Sequence, residues 1–163
     1  TIEAASRGTR LHKYLEQYIT EDVMKEPGSN YFSIQSHQMA KTIISNHLLP
    51  NVDEYYGNEV SLCYPGLYAG TTDCVAQWQG KLSILDFKQT NKPKKEEYID
   101  DYFMQLAAYI CAHDELYSTT IERGVILMCS VDLQPQHWVL EGDRLEHYKT
   151  MWTERVKQYY RVS

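Results

Sequence analysis

The sequence predicts an α/β domain built on a mixed central sheet with helices on its flanks. Three observations carry this. Two helix-spaced stretches precede any strand. Three strand-like runs then follow one another between residues 59 and 87. A long helical stretch separates these from a further apolar run and a closing amphipathic helix. With 163 residues and 43% hydrophobic content, the chain is expected to form one domain over 1–163. Residues 1–50 would supply a helical part, and residues 56–163 the sheet core with its flanking helices. No apolar run approaches the roughly 18 residues of a membrane span, so no membrane partner is expected. The chain begins at Thr1 rather than Met, as it would after removal of an N-terminal segment.

Taken in order, Ser6 to about Met24 has helical spacing at Leu11, Leu15, Tyr18 and Ile19, with Gly8-Thr9 as a start and Pro27-Gly28 just beyond its end. Pro27 to Asn30 reads as a loop, and Ser36 to Leu49 as a second helix ended by Pro50. His37 and His47 are expected at its surface. Glu59 to Tyr64 opens the sheet and stops at Pro65-Gly66. Glu96 to about His113 is a long helix with Phe103, Leu106 and Ile110 on its core side. GVILMCS, ending at Ser130, is an interior strand, Gln136 to Leu140 a shorter one, and Asp143 to Tyr160 the last helix.

The stretch with chemical content is Tyr68 to Thr90. Two runs rich in β-branched and aromatic residues, Tyr68–Trp78 and Lys81–Phe87, flank Gln79-Gly80, and Gly accepts the positive φ of a two-residue hairpin turn. That turn sets Trp78 opposite Lys81 and, counting back, Asp73 opposite Asp86. Facing residues share a side of the sheet with Cβ atoms roughly 4.5–5.5 Å apart. Lys88, two residues past Asp86, points the same way. Facing carboxylates repel, and a divalent cation relieves the repulsion. Mg²⁺ or Mn²⁺, as one or two ions, suits oxygen ligands. The alternative is a set of salt bridges with Lys88 at a sheet rim, against which the apolar neighbours Val75, Ile84, Leu85 and Phe87 argue.

Asp73, twelve intervening residues and Asp86-Phe87-Lys88, in the wording GTTDCVAQWQGKLSILDFK, resemble the PD-(D/E)xK nuclease signature, RecB-like branch. The resemblance runs from about Gly8 to Tyr109 and implies a restriction-endonuclease-like core. It also implies metal-dependent hydrolysis of DNA, on single strands from an end, with Asp73, Asp86 and Lys88 catalytic. GTRLHKYLEQ is similar to the branch's first motif, which assigns His12 to the metal beside Asp73, Asp86 and the Phe87 carbonyl. QLAAY is similar to its third motif, which gives Gln105 and Tyr109 a part in holding the DNA strand or the lysine. Glu59 matches an acidic residue of the first strand that holds a metal-bound water or orients a neighbour; a solvated edge-strand glutamate is the alternative. Many relatives carry Thr directly after the lysine, whereas here Gln89 precedes Thr90.

The loop NKPKKEE after Lys88 reads as solvated, with phosphate contact by Lys92, Lys94 or Lys95 as the alternative. Net charge of −6 excludes a generic nucleic-acid coat but not a nuclease with a local basic groove. The four cysteines, Cys63, Cys74, Cys111 and Cys129, show no CxxC spacing. Neither zinc nor an iron–sulfur cluster is therefore expected, and they read as small buried hydrophobes. Of the fourteen tyrosines, most belong to core and rim, and some are placed to stack on unpaired bases. Alternatives within and outside the family are a structure-selective endonuclease and a non-cleaving nucleic-acid-binding module. Replication or recombination proteins are the expected partners. The expected location is intracellular: cytoplasmic for a bacterial or phage protein, the mitochondrial matrix for an organellar one.

Overall fold

The computed structural model describes residues 1–162. Helices α1 (Ile2–Glu21) and α2 (Tyr31–Ile43) come first; α2 continues through a π-helical turn (Ile44–Leu48) into α3 (Leu49–Asn51). Strands β1 (Val52–Tyr64), β2 (Tyr68–Trp78) and β3 (Lys81–Thr90) follow, then α4 (Asp100–Tyr117), β4 (Arg123–Ser130), β5 (Pro135–Glu141) and α5 (Gly142–Val162). The described strands form one sheet in the order β1-β2-β3-β4-β5. It is mixed: β3 and β4 are parallel, with α4 as their crossover, and the other neighbours are antiparallel. The α/β class and the element order are those expected from the sequence.

Alternation along the strands separates two cores. Cys74, Ala76, Trp78, Leu85, Phe87 and Leu127 face Leu11 and Leu15 of α1 and Met39 and Ile43 of α2. Val75, Ile84, Ile126 and Met128 face Phe103, Leu106 and Ile110 of α4, with Leu145 and Tyr148 of α5 behind. β4 is buried along its whole length, as its unbroken apolar run requires.

Several boundaries moved. α1 starts four residues before Ser6, because the Thr1 side chain caps Ala4 N–H at 3.1 Å. Gly8 lies inside the helix, not at its start; an added Cβ there would come within 3.6 Å of Gln89 Nε2. α2 starts at Tyr31 because Asn30 caps Ser33 N–H at 2.8 Å. Pro50 does not end the helix. Leu49 N–H reaches back five residues to Ile44 C=O, and this wider turn accommodates the Pro50 ring, which has no N–H to offer Asn46. His37 and His47 are buried rather than superficial, at 9% and 4% exposure. β1 starts at Val52, ahead of both Glu59 and the expected sheet limit at 56, carried by two register shifts.

The four cysteines are free; Cys74 and Cys129 are buried as expected, Cys111 is half-buried and Cys63 is exposed. No helix among the described residues is long and apolar enough to cross a membrane.

Candidate active site

The hairpin turn has the geometry that its two residues allow: Gln79 and Gly80 take φ of 48° and 81°, the type I′ pattern. The turn is docked by Gly80 N–H donating to Asp53 and Gln79 Nε2 donating to Asn51 Oδ1. Trp78 pairs with Lys81, and the ladder keeps that register to Cys74↔Leu85. There it stops. β2 goes on with β1 as its partner and β3 with β4, so the two central strands part immediately before Asp73 and Asp86.

The site is this fork. Backbone groups that a continuing ladder would have used are taken by side chains. Phe87 N–H donates to Asp73 Oδ2 at 2.8 Å, and Phe87 C=O accepts from His12 Nε2 at 2.9 Å. A carbonyl only accepts, so Nε2 carries the proton in neutral His12 and Nδ1 keeps its lone pair. Nδ1 lies 3.5 Å from Asp73 Oδ1. His12 comes from α1, which the sheet's other face anchors through Leu11 and Leu15.

Glu59 joins them for a backbone reason. It lies on β1 between Asn58↔Cys74 and Val60↔Thr72, hence across from Asp73, and it takes φ of 51°. Ligand atoms of His12, Glu59 and Asp73 all lie within 4.8 Å of one another, a group able to hold a metal ion. Asp86, on β3, stands on the other side of Asp73, close enough for its charge to act on the Asp73 carboxyl. Of the expected ligand set, the fork thus gathers His12, Asp73 and Asp86 around Phe87, and it adds Glu59.

The electrostatics match burial of two acids together, with Glu59 exposed at their edge. Burial first, then Asp86 beside it and a little from Glu59, push the Asp73 carboxyl up to about 9, with Phe87 N–H pulling the other way. Lys88 Nζ lies 3.0 Å from Asp86 Oδ2, out of line for a hydrogen bond, so that buried oxygen keeps no hydrogen-bond partner. Burial alone would lower the Lys88 pKa, but Asp86 outweighs it and the ammonium is held above its ordinary value.

α4 supplies the third wall. Lys88 Nζ donates to Gln105 Oε1 at 2.9 Å, and Gln105 Nε2 donates to Tyr109 OH at 2.9 Å. Gln105 and Tyr109 are four apart on one face, as the sequence required. Tyr102, three residues before Gln105 on that face, was missed by sequence reasoning. Its ring lies 4.5 Å from Lys88 Nζ, a cation–π contact. The signal was available in the spacing Tyr102, Gln105, Tyr109, but tyrosine is abundant here. Gly70 makes room for this wall, since an added Cβ would lie 2.9 Å from Tyr109 Cε1.

Other expected residues lie apart. Thr90 is buried and donates to the Lys92 carbonyl at 2.8 Å. Lys92 stands in an exposed loop lined by Thr90, Lys94, Lys95 and Tyr98, around a cavity of about 540 Å³. That loop is tied to β5 by two hydrogen bonds between Lys94 backbone and the Gln136 side chain. Gln89 points to the α1 side, where it accepts from Arg7 Nε at 2.6 Å and donates to Ala4 C=O at 3.1 Å. It fastens α1, and so His12, to β3.

No protein-family model matches the chain. It is 37% identical over 169 residues to mitochondrial genome maintenance exonuclease 1 of Xenopus tropicalis and 31% identical over 164 residues to the human protein of that name. These matches take in 98% and 94% of this chain but 46% and 45% of those proteins. The chain therefore spans a little under half the length of the curated relatives it matches. A candidate exonuclease from Eubacterium rectale, solved by crystallography, aligns with TM-score 0.67 over 96% of this chain and 64% of its own, at 11% identity. That is a likeness of fold alone. Over nearly its whole length, then, the chain is a homologue of one stretch of the mitochondrial genome maintenance exonuclease 1 proteins, carried on an exonuclease-like fold.

Proposed function

We propose that this chain is a divalent-cation-dependent nuclease that hydrolyses DNA phosphodiester bonds, working on single strands from an end. The fork carries the reading. One buried carboxyl is pushed toward its protonated form, a buried oxygen of its neighbour has the Lys88 ammonium beside it but no hydrogen bond, and a third carboxylate and an imidazole nitrogen lie within 4.8 Å of the first. That set is satisfied in its ionised form by a cation.

Mg²⁺ or Mn²⁺ fits the oxygen-rich donors Asp73, Asp86 and Glu59, with His12 Nδ1 and the second lone pair of the Phe87 carbonyl beside them. Such an ion, when bound, polarises a phosphate and lowers the pKa of bound water. Lys88, steadied by Asp86, Gln105 and the Tyr102 ring, keeps its charge where the reacting phosphate would lie. There it stabilises developing negative charge or orients the attacking water. Gln105 and Tyr109 hold that lysine and position the strand. Lys92, Lys94 and Lys95 give the adjoining loop its phosphate contacts. The relatives' name supports the exonuclease mode and a role in genome maintenance, with replication or recombination proteins as partners. The mitochondrial matrix is the corresponding location.

End-labelled single and double strands, incubated with Mg²⁺ or with EDTA, test the reading. Lys88→Ala should slow single-strand digestion by about 100-fold or more. Digestion by Lys88→Ala or Asp86→Ala at the parent rate would remove the assignment. Linear single strands should be degraded and circular ones spared; loss of circles would move the reading to an endonuclease.

A further inference from the structure

Beyond the Gln105–Tyr109 wall, the start of β2 and the C-terminal half of α5 enclose a groove walled by aromatic rings. Tyr68 is its floor, with its OH donating to Ala108 C=O at 3.0 Å. The Trp152 ring stands edge-on to it at 5.1 Å and 89°, and Tyr64 stacks on it at 5.5 Å and 24°. Further along α5, Tyr160 closes the far side by donating to Leu67 C=O, with 46% of its surface still exposed. The groove encloses about 400 Å³ and includes Arg155. An adjoining cavity of about 370 Å³ shares Tyr68, Trp152 and Arg155 and opens onto Gln105 and Tyr109. The groove is thus continuous with the wall that holds Lys88.

We propose that this groove is a base-stacking subsite for an unpaired DNA strand entering or leaving the fork, with Arg155 contacting its backbone. The proposal rests on the nuclease reading and names the path of its substrate. Rings whose hydroxyls are already tied to backbone carbonyls present stacking faces at little further cost in side-chain entropy. Bases of a single strand expose the π-faces that such rings accept, whereas those of a duplex are already stacked. Arg155 is exposed and, among the described residues, pairs with no carboxylate; Asp101, which lines the connecting cavity, forms no ion pair with it. An unpaired guanidinium on a groove lined by aromatic rings matches a phosphate beside stacked bases.

The test compares the parent with Arg155→Glu and Tyr160→Ala, two exposed positions, after far-UV circular dichroism confirms folding. Binding of a fluorescent oligothymidylate is measured in EDTA, where a metal-dependent enzyme does not cleave. Digestion of the same strand is measured with Mg²⁺. Each variant should bind about tenfold more weakly. For Arg155→Glu, the dependence of log K on log salt should flatten by about 0.7 or more. KM for the strand should rise in parallel, and the loss should be absent on a blunt duplex. Parent-like binding by both variants overturns the proposal. So does an equal loss on duplex, or sedimentation showing that the variants lose self-association while binding DNA normally. The nuclease reading is scored separately: a parent that binds but never cleaves removes that reading and leaves the groove standing.

Discussion

Replacing Asp73 by Asn separates the electrostatic cost of the fork from its use. In the metal-free protein the Asp73 carboxyl is pushed up to about 9, chiefly by burial and then by Asp86. In the unfolded chain an aspartate ionises near pH 4. Between those two values the folded state holds one more proton than the unfolded state. Stability therefore falls as pH rises through this window, by up to about 1.4 kcal/mol per pH unit. From about pH 5 to pH 8 the ceiling is about 4 kcal/mol, and water entering the fork brings the expected loss to about half that.

The amide of the Asp73→Asn variant would be neutral at every pH. Its carbonyl can still accept from Phe87 N–H, and its NH₂ group can donate to Asp86. The difference in stability between variant and parent should be small near pH 5 and reach about 2 kcal/mol in favour of Asp73→Asn near pH 8. Using the difference cancels groups common to both proteins, such as His47 and His113, whose pKa values burial lowers. Excess Mg²⁺ should flatten the pH slope of the parent and move the variant less, because the variant has no ionisable group at position 73 for the cation to deprotonate and Asp86 and Glu59 alone hold it more weakly. Urea unfolding followed by circular dichroism, in EDTA and in Mg²⁺ across that range, measures this. A variant that keeps the slope of the parent, or that is the less stable protein near pH 8, refutes the reasoning.

Two further changes probe the walls. Gly70→Ala places a Cβ 2.9 Å from Tyr109 Cε1, so it should cost about 1–3 kcal/mol in urea unfolding and break the Tyr109–Gln105 hydrogen bond, slowing digestion. Stability and activity both at parent level would show that the ring swings aside freely. Gln89→Ala leaves the buried Arg7 Nε without an acceptor and should cost about 1.5–3 kcal/mol. Amide exchange in α1 should then rise before exchange in β4. Unchanged protection of α1 would show that its apolar contacts suffice to hold His12 in place.

What could be read from the residues was what depends on near neighbours along the chain. A Gln-Gly turn of two residues fixes which strand position faces which, so the register from Trp78↔Lys81 to Cys74↔Leu85, and with it the side of the sheet that Asp73, Asp86 and Lys88 share, followed from counting, although the expected direct pairing of Asp73 with Asp86 is not made. Helical spacing likewise put Gln105 and Tyr109 together. Family likeness, rather than spacing, pointed to His12. Boundaries were misread where a single side chain decides them, at the Thr1 and Asn30 caps and at the π turn before Pro50.

Where the ladder ends was decided only by the folded sheet. β2 and β3 part at Cys74↔Leu85 because each has another partner to follow, and no local signal records that choice. Parting frees the Phe87 amide and carbonyl for Asp73 and His12, and it lets an α1 residue meet carboxylates whose own face belongs to α4. The positive φ that sets Glu59 across from Asp73, the Tyr102 ring beside Lys88 and the Arg7–Gln89 tie are likewise contacts between segments far apart in the chain. The turn set the pairing of two strands, and the competition among all the strands set where that pairing had to stop.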